Sequence, residues 1–285
     1  MVEPKQRNDV HTSRARRRPE TASEQAVPET SRPRLLDLFC GAGGAAVGYH
    51  RAGFDVVGVD IAPQKNYPFR RWFWQGDALE VMRDLAAGGR LLFGHDGALG
   101  LTDFDAIHAS PPCQAFTQMS ARWRGKGTKA DEHLDLLTPA LALLRPLALP
   151  WVVENVIGAR RMMNANLTLH GGMFGLGVHR PRLFESNVLL LAPKTAQTKS
   201  PLGVYGKVDG RTTYRYRNNG NYKGKSLIRA WKSVQEGQEA MGIDWTDDER
   251  EIAEAIPPAY TELIGHQLMQ HINGRRGNEC HMSLG

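Results

Sequence analysis

The 285-residue chain is 41% hydrophobic, has a formal net charge of +6 and contains three cysteines. No apolar run reaches the roughly 20 residues of a membrane-spanning helix, and the N-terminal segment lacks the apolar core of a signal peptide. The cysteines are widely spaced without a Cys-x-x-Cys pair, which argues against a disulfide framework or a zinc site and favours a reducing compartment. We therefore expect a cytoplasmic protein whose positive charge suits a polyanionic partner.

Residues 1–33 have the composition of a disordered tail. They are rich in Arg, Glu, Ser, Thr and Pro and nearly free of large apolar side chains. Burial cannot offset the entropy of ordering such a segment. Its basic cluster at 14–18 could touch nucleic acid phosphates, although a solvated charge run is the more ordinary reading.

The next segment has the pattern of a nucleoside-binding sheet. An apolar strand is predicted at 34–39, followed by a glycine-rich turn and an alanine-rich helix, and a second strand at 54–59 ends at Asp60. An acid at this position, about 20 residues after the turn, binds ribose hydroxyls in such sheets. The full phosphate-binding glycine fingerprint is missing, which favours a nucleoside without a pyrophosphate over NAD. Asp77 either accepts from an adenine amino group or caps a helix that begins at Ala78.

Two later segments bring reactive side chains to the same edge of the sheet. The apolar run at 104–107 predicts a buried strand, and a Ser-Pro-Pro-Cys-Gln loop follows at 110–114. The prolines stiffen this loop, and ligands bind at the carboxyl ends of strands in open α/β sheets. Cys113 is therefore a candidate nucleophile, although many free cysteines are simply buried. A further strand at 151–153 ends at Glu154, the second catalytic candidate.

Two segments are rich in basic side chains. Residues 121–133 are polar, basic and glycine-containing, which fits either a mobile lid that closes on a polyanion or a plain surface loop. Residues 190–232 contain ten Lys or Arg and a single acid, Asp209, with aromatic residues among them. Basic side chains bind phosphates and aromatic ones stack on bases. We interpret 190–232 as a nucleic-acid contact in preference to a soluble β-rich insert.

The remaining patterns concern packing and one pair of arginines. Residues 134–149 are apolar at helical spacing and predict a core helix. Arg180 and Arg182 alternate on a segment that we expect to be extended, so their side chains should point to one face. Residues 251–272 return to a helical pattern that we expect to pack back on the sheet.

Taken together, these segments resemble the cytosine-C5 DNA methyltransferases, particularly the compact enzymes of bacteria and phages. The resemblance extends from about residue 35 to residue 272, with the motifs in the family's order. The four matching motifs are the cofactor motif at 37–44, the nucleophile motif at 110–114, the base-binding motif at 154–156 and the paired-arginine motif at 180–182.

The resemblance implies a fold and a domain organisation. The fold is α/β, a Rossmann-like class I S-adenosylmethionine-dependent methyltransferase sheet with a small, basic, irregular or β-rich target-recognition insert. The expected parts are a disordered tail at 1–33, a catalytic and cofactor-binding domain at 34–186, a target-recognition region at 187–250 and a C-terminal segment at 251–273. The implied partner is double-stranded DNA, and we expect a monomer.

The resemblance also implies roles for single residues. Cys113 would add to C6 of a flipped-out cytosine, Glu154 would contact N3 and the exocyclic amine, Arg182 would hold O2 and Arg180 would brace the site. The cofactor would be S-adenosylmethionine. Its implied binding residues are Phe39, Gly41, Gly43, Gly44, Asp60, Ile61, Asp77, Ala78 and Pro112.

Two positions depart from the family pattern. Val178 stands where a glutamine usually precedes the arginines, and Glu254 replaces an asparagine beside the cofactor. Three alternatives to DNA methylation stay open at this point: the same chemistry on RNA such as tRNA, a catalytically silent DNA-binding homologue, and an NAD-dependent dehydrogenase.

Overall fold

The computed structural model describes residues 32–94, 97–112, 135–194, 201–206, 208–210, 213–216 and 226–282. Residues 1–31 of the expected tail, the nucleophile candidate Cys113 and the basic segment 121–133 lie outside the described residues. The last two residues predicted for the tail instead belong to the fold, because Arg32 Nε donates to Gly53 O and Asp55 N donates to Pro33 O, each at 2.9 Å.

The described chain contains twelve strands and six α-helices. The strands are β1 Arg34–Leu38, β2 Asp55–Asp60, β3 Phe73–Gln75, β4 Leu91–Leu92, β5 Ala98–Leu99, β6 Ala106–Ala109, β7 Trp151–Val156, β8 Leu167–Leu169, β9 Arg182–Ser186, β10 Leu202–Gly203, β11 Thr213–Tyr216 and β12 Ser226–Ala230. The helices are α1 Gly44–Arg51, α2 Ala78–Ala86, α3 Leu137–Leu144, α4 Val234–Met241, α5 Glu249–Glu254 and α6 Pro258–Met282. Short 3-10 helices cover Arg70–Trp72, Leu101–Asp103, Ile157–Ala159 and Gly171–Phe174.

The central sheet has seven strands in the order β3-β2-β1-β6-β7-β9-β8. The five strands from β3 to β7 are parallel, and β9 pairs antiparallel with both β7 and β8. Successive strands are added toward one side of the sheet from β1 to β3 and toward the other side from β6 to β7. The boundary between β1 and β6 is therefore a topological switch point, where a crevice opens at the carboxyl ends of the strands. This arrangement confirms the expected α/β fold. A separate sheet, β10-β12-β11, lies in the basic segment.

Apolar side chains cover both faces of the central sheet. On one face Tyr49 of α1 and Ile264 of α6 join the core, and on the other face Met82 of α2 and Leu141 of α3 do so. A third cluster around Trp231 joins the small sheet to α4 and α5. The helix α6 therefore packs back on the sheet as expected, although it continues to Met282, beyond the expected end.

The core helix is shorter than the predicted 134–149. The Asp135 carboxylate accepts from the N–H groups of Leu137 and Thr138, which fixes the start of α3. At the other end, Arg145 N still donates to Leu141 O at 3.0 Å, but Pro146 has no N–H for the next helical bond, so α3 ends at Leu144. Apolar periodicity overestimated this helix because it does not register such end signals.

The strand before the nucleophile motif lies two residues later than predicted. It covers Ala106–Ala109, so it includes the polar side chain of His108 and leaves the loop to begin at Ser110. No described helix is long and apolar enough to cross a membrane. The expected domain boundaries stay predictions.

Candidate active site

The glycine-rich turn leaves β1 through a left-handed residue. Phe39 has φ 58°, an unusual value for a residue with a side chain. The turn is then held by main-chain bonds, because Cys40 N donates to Val59 O at 3.0 Å and Gly43 N donates to Cys40 O at 3.0 Å. Trp245 Nε1 adds a long-range bond to Ala42 O at 2.8 Å. Sequence reasoning missed this tryptophan, since no motif marks it.

The three glycines of the turn serve different purposes. A Cβ on Gly41, which has φ +50°, would meet nothing within 4 Å, so open space lies above it. A Cβ on Gly43 would lie 2.8 Å from Pro68 Cδ, and one on Gly44 would lie 2.5 Å from Ile256 O. Gly43 and Gly44 therefore permit close packing, and Gly41 alone of the three leaves room for a ligand.

Asp60 stands at the end of β2, beside this turn. Its carboxylate accepts from Gly41 N and from Ala62 N, each at 2.9 Å. A carboxylate can accept about four hydrogen bonds, so capacity for ligand hydroxyls remains. The next side chain, Ile61, is 69% exposed and offers apolar surface at the same edge.

Asp77 caps a helix. Its Oδ1 accepts from Leu79 N at 2.8 Å and from Glu80 N at 3.1 Å, so the capping alternative holds. An additional contact with an adenine amino group stays a prediction. The Ala78 side chain is buried in the core, which leaves only its main chain for a ligand, and Pro112 is exposed.

The nucleophile loop and the base-binding motif are tied together. Asn155 Nδ2 donates to Pro111 O at 3.0 Å in a buried contact, and Val156 N donates to Asn155 Oδ1 at 2.9 Å. The asparagine thus holds the residues that lead into Cys113 against the end of β7. Sequence reasoning placed Asn155 in a motif without giving it this task.

Glu154 and Arg182 form a buried ion pair across β7 and β9. Arg182 Nε lies 2.8 Å from Glu154 Oε1, and the side chains are 10% and 7% exposed. Burial raises the pKa of Glu154, while the charges of Arg182 and Arg180 and a hydrogen bond from Ser110 lower it, and burial dominates. The carboxyl is therefore easier to protonate than an ordinary glutamate.

Arg180 is held by main-chain acceptors. Its guanidinium donates to Ala255 O at 3.0 Å, to Val204 O at 3.0 Å and to Ala253 O at 2.6 Å. Burial, followed by the nearby charge of Arg182, lowers its pKa to about 10. This side chain links the end of the central sheet to two later segments of the chain.

The expectation of one extended face for the two arginines is wrong. Arg180 has φ 35°, and β9 begins only at Arg182. Both guanidinium groups are nevertheless buried, because the chain bends before the strand begins. Alternation along a strand therefore does not explain why the charge of Arg182 lies close enough to lower the pKa of Arg180.

Buried polar groups inside the strands were not anticipated. Asp37 is fully buried, and neither of its oxygens has a hydrogen-bond partner among the described residues. Burial and the charge of Asp60 raise its pKa well above the usual value. His108 occupies the register position beside Asp37 on β6. The sequence did contain a signal for these buried groups, because Asp37 and His108 each interrupt a run of apolar residues.

The two departures from the family pattern have simple structural settings. Val178 is buried in the third apolar cluster. The Glu254 side chain is 60% exposed and pairs with Arg250 at 3.0 Å on the surface of α5.

The parallel sheet, its glycine turn and the polar groups at its carboxyl edge define a class I methyltransferase fold. A model of the C-5 cytosine-specific DNA methylase family matches residues 33–169. The type II methyltransferase M.HgiGI of Herpetosiphon aurantiacus is 31% identical over 131 residues, which are 45% of this chain and 93% of that protein. The chain belongs to the C-5 cytosine-specific DNA methylase family.

Solved structures share the fold at low identity. The methyltransferase EhMeth of Entamoeba histolytica superposes with a TM-score of 0.50 at 12% identity, covering 85% of this chain and 99% of that one. A DNMT2 variant of Spodoptera frugiperda superposes with a TM-score of 0.51 at 13% identity, covering 83% and 99%.

The family takes its methyl group from S-adenosylmethionine, and the residues of this edge fit that cofactor. Gly41 leaves open space above the turn, and Asp60 keeps acceptor capacity beside it. The ribose hydroxyls of S-adenosylmethionine are hydrogen-bond donors that suit this acceptor.

Proposed function

We propose that this protein methylates C5 of a cytosine that is flipped out of duplex DNA, through a covalent bond between Cys113 Sγ and C6. The observation that supports this function best is the buried Glu154–Arg182 pair beside a loop whose Pro111 carbonyl is held by Asn155. A carboxyl, a guanidinium and a thiol are the groups that this chemistry needs around one base.

The cofactor end of the sheet edge, formed by the glycine turn, Asp60 and Asp77, binds S-adenosylmethionine, which when bound supplies an electrophilic methyl group. Asp60 accepts from the ribose hydroxyls, and Phe39 and Ile61 cover the adenine. Gly41 lets the main chain approach the ligand, while Asp77 accepts from the adenine amino group. Pro112 stiffens the loop between this edge and Cys113.

At the base end, the Cys113 thiolate forms a bond to C6 and pushes electrons into the ring, which makes C5 nucleophilic. Glu154 gives a proton to N3 as this charge develops, which its raised pKa favours. Arg182 donates to O2, and Arg180 braces the site through its bonds to the carbonyl groups of residues 204, 253 and 255. C5 gains the methyl group and S-adenosylhomocysteine is left. A base then removes the C5 proton, the C6–S bond breaks to release the thiolate, and N3 returns its proton to Glu154.

Duplex DNA is the proposed partner. C5 and C6 are inaccessible within a stacked helix, so the target cytosine has to leave the duplex. Basic and aromatic residues in 190–232 suit phosphate and base contacts. The relative from Herpetosiphon aurantiacus is described as a type II methyltransferase, which also favours DNA over RNA.

Two linked assays test this function. Unmethylated plasmid is incubated with the protein and S-adenosylmethionine and then sequenced after bisulfite treatment, and we expect protected cytosines in one short sequence context. In the second assay, duplex DNA containing 5-fluorocytosine should trap the wild-type protein covalently. The Cys113→Ala variant should bind the same duplex and form no adduct, because it lacks the attacking thiolate.

Other outcomes would redirect the assignment. Methylation of tRNA in preference to duplex DNA, in a competition assay, would replace the substrate but keep the chemistry. Binding of DNA without methylation or adduct would indicate a silent homologue. Appreciable turnover by Cys113→Ala would remove Cys113 from the nucleophile role.

A further inference from the structure

A chain of polar side chains, which begins in the core and ends at the half-buried Ser110, lies between the central sheet and α1. The Tyr49 hydroxyl is 2.9 Å from His108 Nδ1, and His108 Nε2 is 2.7 Å from Ser110 Oγ. Tyr49 and His108 are fully buried. Buried polar groups of this kind are costly unless they are hydrogen-bonded, so the contacts hold both rings in place.

The strand register carries this chain to Glu154. His108 on β6 lies opposite Val152 on β7, and Ala109 lies opposite Val153. Continuing the register by one residue brings Ser110 opposite Glu154, on the same face of the sheet as His108. In that position the Ser110 hydroxyl can donate to the Glu154 carboxylate, and such donation favours the ionised form and lowers the carboxyl pKa.

While Glu154 is ionised, the proton count fixes a direction, because a carboxylate can only accept. Ser110 has a single hydroxyl proton, so it cannot donate to Glu154 and to His108 at once. Donation to Glu154 requires that His108 Nε2 carry a hydrogen and donate to Ser110. Nδ1 is then the acceptor of a neutral ring, and Tyr49 donates to it. Burial lowers the pKa of His108 to about 3, so the neutral ring persists across the working range.

We propose that Tyr49, His108 and Ser110 form a one-way hydrogen-bond chain that donates to one oxygen of Glu154 and so directs the acid proton to its other oxygen. Under this proposal His108 and Ser110 are positioning residues. The proposal rests on the proposed function, because it specifies how Glu154 presents a proton to N3.

Several charged or titratable groups also face this chain. The charges of Asp37 on β1 and Glu154 on β7 add to the effect of burial and raise the pKa of Tyr49. The charges of Arg182 and Arg180 lower the pKa of Glu154. The same two charges lower the pKa of Tyr260 on α6, against the larger effect of burial, which raises it. Burial, Arg182 and Arg180 set the starting pKa of Glu154, and Ser110 adds one hydrogen bond that favours the anion. Removing that bond must therefore raise the pKa.

The test compares variants by the pH dependence of methyl transfer in a single turnover. The part of the pH profile in which the rate follows the titration of Glu154 is called the Glu154 limb. Ser110→Ala should shift this limb upward by about one pH unit, since a hydrogen bond to a charged group has roughly that effect. It should also slow transfer about tenfold through misplacement of the carboxyl. Affinity for S-adenosylmethionine should not change. Tyr49→Phe should shift the limb in the same direction by less, which covers the case in which Ser110→Ala does not fold.

Two further variants separate positioning from stability. His108→Gln keeps a side-chain N–H donor near the Nε2 position and should restore most of the rate lost in His108→Leu. The control Thr261→Val removes a buried hydroxyl that donates to Ala45 O at 2.9 Å in the same layer. It should lower stability and leave the pH profile unchanged. Equal losses in His108→Gln and His108→Leu would overturn the positioning role.

A measurement independent of activity distinguishes failure of the inference from failure of the proposed function. Nitrogen and carbon NMR of histidine-labelled protein, assigned with His108→Gln, reports the tautomer of His108. The hydrogen on Nε2 supports the chain, and the hydrogen on Nδ1 overturns it even if the enzyme methylates DNA. Wild-type activity with an unmoved limb in Ser110→Ala also overturns the inference. Absence of methylation by the wild type would refute the proposed function and leave the tautomer as the deciding result.

Discussion

The carboxyl edge of the sheet has two ends, a cofactor end with Asp60 and Asp77 and a base end with Glu154. The two ends hold these carboxylates in different ways. Asp77 accepts from main-chain N–H groups two and three residues further along the chain. Asp60 accepts from Ala62 N, two residues further on, and from Gly41 N in the neighbouring glycine turn. Glu154 is instead buried against Arg182 on an antiparallel neighbour, with Ser110 as a further partner. The carboxylates of the cofactor end are thus held by backbone donors, and the carboxylate of the base end is held by side-chain contacts.

This difference has a chemical consequence. Main-chain donors stabilise a carboxylate as a fixed acceptor, which suits recognition of ribose hydroxyls. Burial opposes the charged form, so Glu154 can hold a proton at a pH where an exposed glutamate would not. The difference also predicts where substitutions act, because changes at the base end should couple to pH and changes at the cofactor end should couple to local conformation.

The largest effect is expected from Arg182→Ala. Removing one partner of a buried ion pair costs about 3 kcal/mol or more when the other stays charged. The pKa of Glu154, already raised, would rise further. A carboxyl whose folded-state pKa is raised gives stability that is present below its unfolded-state pKa and is lost as pH rises through the folded value. Denaturant unfolding should therefore show a much larger loss at pH 8 than at pH 5.

The double variant Arg182→Ala/Glu154→Gln is the matched control. An amide cannot ionise, so the added pH dependence of the single variant should disappear. An equal loss of stability for Arg182→Ala at both pH values would show that the guanidinium matters for packing alone and would remove the contrast between the two ends.

The same contrast explains how much the sequence reveals. The glycine turn, the strand that ends at Asp60 and the cap at Asp77 depend on nearby residues, and the sequence pattern predicts them. Cys113 is recognisable because its loop follows a buried strand, and Glu154 because a carboxylate interrupts an apolar run, although the strand continues past it to Val156. The link from Trp245 to Ala42 joins positions far apart in the chain, and no local pattern encodes such a contact.

The bend at Arg180 shows a second limit of sequence reasoning. A periodicity of two predicts one extended face, but three carbonyl acceptors hold the guanidinium while the main chain takes φ 35°. Those acceptors come from residues 204, 253 and 255, whose positions depend on the whole fold. His108 and Asp37 illustrate the same limit, since burial of polar groups is decided by the layers that cover them.

An intermediate effect is expected from a pair of glycine variants at the cofactor end. Gly44→Ala places a Cβ 2.5 Å from Ile256 O, and the main chain must shift, at a cost of about 2 kcal/mol. Gly41→Ala meets no atom, and its left-handed φ costs about 1 kcal/mol. Its methyl group occupies the space above the turn, so affinity for S-adenosylhomocysteine should fall about tenfold.

Denaturant unfolding and titration calorimetry separate these two results. Gly44→Ala should mainly lose stability and Gly41→Ala should mainly lose ligand affinity. If both variants lost affinity equally without a loss of stability, Gly44 would also face the ligand, and the assignment of open space to Gly41 alone would fail.

The smallest effect is expected at Asp77, where two roles of one carboxylate can be separated. Asp77→Ala removes the acceptor for Leu79 N and Glu80 N and should destabilise the protein by about 1 kcal/mol, the usual effect of losing a helix cap. Asp77→Ser keeps a capping oxygen and should recover most of that stability. Its short side chain cannot also reach an adenine amino group, so calorimetry should show weakened cofactor binding in both variants. Recovery of affinity together with stability would mean that Asp77 acts on the cofactor only by fixing the start of α2, and the cofactor end would then be a product of backbone geometry alone.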